Sequence, residues 1–120
     1  RSIPCLYCVT DSTAAAGMPD GEYKLGSHTV TKCLGGVRLA DGTLAGSTLT
    51  MDQALRNLVK LGLPISEASQ RLSQFPADYL GLEERGRLQP GSFAYCVRLD
   101  RSLTLTDVMV EGETIDFKNA

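Results

Sequence analysis

Helical periodicity is confined to one stretch of this chain, and strand patterns broken by turn residues flank it on both sides. Met51, Ala54, Leu55, Leu58 and Val59 recur at helical spacing and make one apolar face. Thr50 and Gln53 ahead of it have the spacing of a capping box. Gly62 is a natural C-cap, and Pro64 prevents continuation. Ser66 reads as the cap of a second helix with Ala68, Leu72 and Phe75 on one side. Pro76 reads as its interruption, followed by a short helical turn through Leu80 to Gly81.

On the amino-terminal side, Ile3 to Thr10 is a short apolar run that reads as a buried strand. Glu22 to Leu25, Thr29 to Leu34 and Val37 to Leu39 read as a small antiparallel meander. Pro19-Asp20-Gly21, Gly26-Ser27-His28 and Ala40-Asp41-Gly42 punctuate it. On the other side, Ser92 to Leu99, Thr106 to Val110 and Glu113 to Phe117 read as strands. Pro90-Gly91 and Glu111-Gly112 are their turns. The order is strand, sheet, two helices, sheet. It predicts an α+β fold in which both strand-forming stretches join one small sandwich with helices at its side. A complete eight-stranded α/β barrel takes about 250 residues, and this chain has 120.

Composition narrows the function classes. A net charge of -2 with mixed signs leaves no electrostatic footprint for nucleic acid. No apolar run approaches the ~20 residues of a membrane span, and the opening residues lack signal-peptide regions. Cys5 and Cys8 form a C-x-x-C, but Cys33 and Cys96 stand alone and His28 is the single histidine. A zinc site needs a second pair or a Cys/His cluster. Odd spacing in a strand would also put Cys5 and Cys8 on opposite faces. Buried free thiols in a cytosolic protein are the expectation, with no metal site in the chain. His28 reads as a solvated turn residue, and Glu83, Glu84, Arg85 and Arg87 as a solvated connection.

Two segments could carry chemistry. Tyr7-Cys8-Val9-Thr10-Asp11-Ser12-Thr13 places a lone carboxylate at the end of an apolar run, followed by small and hydroxylated residues. An acid at the carboxyl end of a parallel strand is where barrel enzymes keep catalytic groups. The residues alone equally allow Asp11 to be an N-cap or Asx-turn residue. Leu44-Ala45-Gly46-Ser47 reads as a small-residue turn entering the helix, 35 residues from Asp11 to Gly46. Gly46 would permit close backbone approach to a ligand, or simply make a tight loop.

Together the two segments resemble the last barrel strand and following loop of the N-acetylglucosamine- and N-acetylgalactosamine-6-phosphate deacetylases of the amidohydrolase superfamily. Phe75-Pro76-Ala77-Asp78-Tyr79-Leu80-Gly81-Leu82 and Gly86-Arg87-Leu88-Gln89-Pro90-Gly91-Ser92-Phe93-Ala94 resemble wider superfamily segments. Tyr95 departs from the pattern by standing where the superfamily has Asp. The resemblance implies a carboxyl-terminal piece of a barrel-plus-sandwich enzyme. Residues 1–20 would be the last barrel strand and active-site loop, 21–43 sandwich strands, 44–82 helices of the barrel side, and 83–120 sandwich strands. Asp11 would be the general base and acid acting on a metal-bound water and then on the leaving amine. Leu44, Ala45 and Gly46 would line the sugar. The metal, zinc, would be bound by a glutamate and two histidines outside this chain, so the piece alone would be inactive and metal-free. The whole would be a cytoplasmic enzyme acting on an amino-sugar 6-phosphate, and the isolated piece a homo-oligomer. Alternatives are another amidohydrolase, dihydropyrimidinase-like or adenine-deaminase-like, and a non-enzymatic β-rich interaction module.

Overall fold

Two-residue turns with both residues at positive φ suit the twist of antiparallel strands, and two of them lie among the described residues. Leu34 and Gly35 (φ 49° and 80°) form one, and Glu111 and Gly112 (52° and 87°) the other. The computed structural model describes residues 4–117. Its elements run β1 (Gly21–Leu25), β2 (His28–Cys33), β3 (Gly36–Leu39), β4 (Leu44–Ser47), α1 (Met51–Lys60), α2 (Ile65–Leu72), α3 (Gln74–Tyr79), β5 (Cys96–Leu99), β6 (Leu105–Val110) and β7 (Glu113–Ile115). This is the α+β content expected. The two strand-forming stretches do not pair with each other. They make a four-stranded sheet, β1-β2-β3-β4, and a three-stranded sheet, β5-β6-β7. Among the described residues, packing divides the chain into a unit of 9–54 and a unit of 4–8 with 55–117.

In the first unit the meander is antiparallel throughout. Tyr23 pairs with Val30, and Val30 with Leu39. Period-two alternation gathers these side chains on one face. Val30 and Val37 are fully buried there with Ala15, and Tyr23, Leu39 and Ala45 pack against them. Each buried valine stabilises the unit by roughly 1.5–3 kcal/mol relative to exposure. Ala15 reaches this core because Ala16 N–H donates to Thr13 O at 3.0 Å, closing a turn. At the β3–β4 turn, Thr43 N–H donates to Asp41 Oδ1 at 2.9 Å. That backbone bond holds the Asp41 carboxyl below its ordinary value. Leu44–Ser47, expected as a turn, is instead the fourth strand of this sheet, β4. The ladder slips between Val37 and Arg38, which pair with Gly46 and Leu44. Ala45 is therefore the extra residue of a β-bulge.

The helices begin and end largely where local chemistry dictates. Ala54 N–H donates to Thr50 O at 2.9 Å at the start of α1. After α1, Gly62 N–H bonds Val59 O and Leu63 N–H bonds Leu58 O. Gly62 stands at φ 88°, the left-handed residue of a Schellman motif. Two expectations change. The second helix starts at Ile65, one residue before Ser66, with Pro64 as its cap and no side-chain cap bond. The fixed φ of Pro64 sets the entry, and its carbonyl accepts Ala68 N–H at 2.9 Å. The break falls at Ser73, not Pro76. Pro76 has no N–H for the Leu72 carbonyl, and its ring would clash with that carbonyl in a continuous helix. Ending α2 at Leu72 puts Pro76 in the first turn of α3, where a missing N–H costs nothing.

Two further strands read from the sequence are not formed as such among the described residues. Ile3 lies outside the described residues, and residues 6–10 form no ladder. Leu6 is 46% exposed. Cys8 N–H donates to Arg71 O at 3.0 Å, and the Arg71 guanidinium donates to Leu6 O at 2.7 Å. Arg71 is itself buried and ion-paired with Glu67 at 2.8 Å. A helix side chain thus holds this segment in place of a neighbouring strand. Ser92 to Tyr95 also stay out of β5, because Phe93 N–H goes to Glu84 O and Tyr95 N–H to Phe93 O. Tyr95 meets Phe93 through this turn, with ring centres 5.7 Å apart. The Arg85 guanidinium lies over both rings, at 4.9 and 4.8 Å. Tyr95 Oη also bonds Glu111 at 2.6 Å.

Candidate active site

Asp11 and the Leu44–Ser47 segment, read separately from the sequence, meet in the first unit. Ser12 forms a parallel bridge with Ser47, so the Asp11 segment continues the sheet beyond β4. Ser47 N–H donates to Asp11 O at 2.7 Å, and Thr13 N–H donates back to Ser47 O at 3.0 Å. The Ser47 hydroxyl donates to Thr10 O at 2.5 Å and accepts Leu49 N–H at 3.0 Å. Ser12 Oγ reaches Leu49 O at 2.5 Å. Asp11 is thereby held at φ 50°, a left-handed conformation unusual outside glycine, Asn and Asp.

Gly46 allows this meeting. It is buried, at φ 130°. A Cβ added there would lie 2.7 Å from Thr13 Cγ2 and 3.0 Å from Asp11 O. Its missing side chain is filled by the Asp11 turn. Ala45 is partly buried against the sheet core, while Leu44 is 63% exposed. Of the three, Leu44 presents open surface, and Gly46 adjoins Asp11.

The Asp11 carboxylate is exposed, and no hydrogen bond or ion pair engages it among the described residues. An N-cap or Asx-turn residue would use its side-chain oxygen on a nearby backbone N–H. Asp11 does not, so neither structural role explains the acid. The cysteines are free thiols, but Cys5 and Cys33 are exposed and not buried as expected. His28 is exposed and opens β2 rather than sitting in the turn. Arg87 pairs with Asp78, so the charged run is more than a solvated link. No group of three or more His, Cys, Asp or Glu is arranged to hold a metal among the described residues. The hydroxyls of Ser12, Thr13 and Ser47 are the site groups that the sequence did not single out. The hydroxyl-rich flanks of both segments were the available signal.

A protein of Escherichia coli strain K12 that carries the N-acetylgalactosamine-6-phosphate deacetylase name is 43% identical over 114 residues. The match covers 93% of this chain and 68% of that protein. This chain belongs to the amino-sugar 6-phosphate deacetylase family. The family's N-acetylgalactosamine-6-phosphate deacetylase from Escherichia coli O157:H7 is also 43% identical, over 93% of this chain. The crystal structure of the Thermotoga maritima N-acetylglucosamine-6-phosphate deacetylase superposes with a TM-score of 0.84 at 43% identity, over 91% of this chain. A Mycobacterium smegmatis deacetylase mutant, in complex with N-acetyl-D-glucosamine-6-phosphate, gives 0.83 at 40% identity over 91%. This chain spans 30% of the length of the O157:H7 relative and 30% of each of those two solved family members. No protein-family model matches the chain. None of its described helices is long and apolar enough to cross a membrane.

Proposed function

We propose that this chain supplies the general acid/base carboxylate of an enzyme that hydrolyses the N-acetyl group of an amino-sugar 6-phosphate. The products are acetate and the free amine. The observation that carries this reading is the uncommitted Asp11 carboxylate, fixed beside Gly46 in a chain 43% identical to deacetylases of that class. Asp11 takes a proton from the attacking water and then delivers one to the leaving amine. Leu44, Ala45 and Gly46 line the sugar.

We assign residues 1–20 of the complete enzyme to the last barrel strand and its loop, 21–43 and 83–120 to sandwich strands, and 44–82, which here are β4 and the three helices, to the barrel side. We take the divalent metal of that enzyme to be zinc, held by residues outside this chain. The four free thiols support a cytoplasmic setting.

The test is acetate release by the complete protein. Substrates would be N-acetylglucosamine-6-phosphate and N-acetylgalactosamine-6-phosphate, run beside a dihydropyrimidine and adenine. Acetate from either amino sugar is expected, and none from this chain alone. Ring opening or deamination without acetate would place the protein elsewhere in the superfamily. No turnover on any of them would favour the interaction module.

The chain alone is also expected to self-associate. Val9 is 69% exposed, Leu44 63% and Leu88 81%, and exposed apolar surface and open strand edges favour association. Light scattering across a dilution series should show dimers or larger species. A monomer at high concentration would overturn this.

A further inference from the structure

We propose that Ser47 is a positioning residue for Asp11. This rests on the reading of Asp11 as the acid/base group. Ser47 uses its donor, its acceptor and its hydroxyl on the chain at both sides of that acid. Its N–H holds Asp11 O at 2.7 Å, and its carbonyl accepts Thr13 N–H at 3.0 Å. Its hydroxyl donates to Thr10 O at 2.5 Å. Residues 10, 11 and 13 are therefore all tied to one residue of β4. The turn needs such ties, because Asp11 sits at φ 50°, in the left-handed region that few residues other than glycine, Asn and Asp adopt.

The backbone bonds survive substitution by alanine, threonine or valine, so the hydroxyl is the part such a side-chain change removes. Ser47→Ala would leave Thr10 O without its donor and Leu49 N–H without its acceptor. The peptide between Thr10 and Asp11 would then be free to tilt, and the carboxylate with it. Proton transfer requires the base within about 2.6–3.2 Å of the proton's heavy atom. A displacement near 1 Å can cost on the order of 10²-fold in rate. Ser47 itself need touch neither water nor sugar for this to hold.

The experiment uses the complete enzyme and measures acetate release from the better of the two amino-sugar phosphates. Ser47→Ala is expected to lower kcat by about 10–100-fold while KM stays within about threefold. Ser47→Thr keeps the hydroxyl and should restore most of kcat. Ser47→Val has the shape of threonine without the hydroxyl and should behave like alanine. If Ser47→Ala does not fold, the threonine and valine variants decide the question. Equal kcat in those two overturns the proposal, and so does a loss confined to KM. Asp11→Asn is measured alongside. An inactive Asp11→Asn with fully active Ser47→Ala and Ser47→Val overturns the role of Ser47 alone. A fully active Asp11→Asn overturns the acid/base reading and the positioning role that depends on it.

Discussion

Asp11→Asn in the complete enzyme is expected to lower kcat by about 10²–10⁴-fold, the range typical of general acid–base groups. Asparagine keeps the size and polarity of the side chain but accepts no proton at working pH. The fold should not notice the change, because no hydrogen bond or ion pair engages the carboxylate among the described residues. The turn around Asp11 is held through backbone atoms, Asp11 O above all, and these are unchanged. Asparagine also tolerates the left-handed conformation at φ 50°. The measurement is kcat with the circular dichroism spectrum and melting temperature recorded in parallel. An intact fold with natural kcat would make Asp11 a surface carboxylate and nothing more.

Gly46→Ala should damage the fold itself. The new Cβ would stand 2.7 Å from Thr13 Cγ2 and 3.0 Å from Asp11 O. The threonine methyl can rotate away, but the carbonyl is backbone, tied by Ser47 N–H. Alanine at φ 130° adds backbone strain. Overpacking costs about 1–3 kcal/mol, and a residue forced into such a region about 1–3 kcal/mol. A loss of about 2–4 kcal/mol in urea denaturation is therefore expected. A double-mutant cycle with Thr13→Ser separates the causes. Removing Cγ2 should recover the methyl's share and leave the share due to Asp11 O and φ. An unchanged urea midpoint in Gly46→Ala would show that the segments can part without cost. Activity would then report whether their contact matters to catalysis.

Both experiments concern a meeting of segments that the sequence only partly foretold. Asp11 and Leu44–Gly46 are legible as candidates because each breaks its local pattern. A lone acid ends an apolar run, and small residues crowd before a helix. Their distance in space depends on which residues of β3 and β4 pair. The slip between Val37 and Arg38 makes Ala45 a bulge and sets Gly46 opposite Val37. No local propensity encodes that slip. Ser47 shows the same limit. In the sequence it is one residue of a small-residue turn before a helix, and only the parallel bridge to Ser12 gives its hydroxyl Thr10 O as a partner.

Turns, helix ends and most strands of the meander follow from effects within a few residues. Glycine occupies positive φ at Gly35, Gly62 and Gly112, and proline withholds an N–H at position 76. A continuous chain settles such matters locally, and they can be read in one dimension. The apolar run at residues 6–10 is different. An apolar pattern reports a preference for burial but not a partner. The available partner is Arg71, which bonds Leu6 O and Cys8 N–H from a helix more than sixty residues away. Strand pairing and the bulge are hydrogen bonds between backbone groups of different segments, and the ties around Asp11 add the hydroxyls of Ser12 and Ser47 to them. Packing decides which of those groups meet, and so the arrangement of the site was settled in the folded chain.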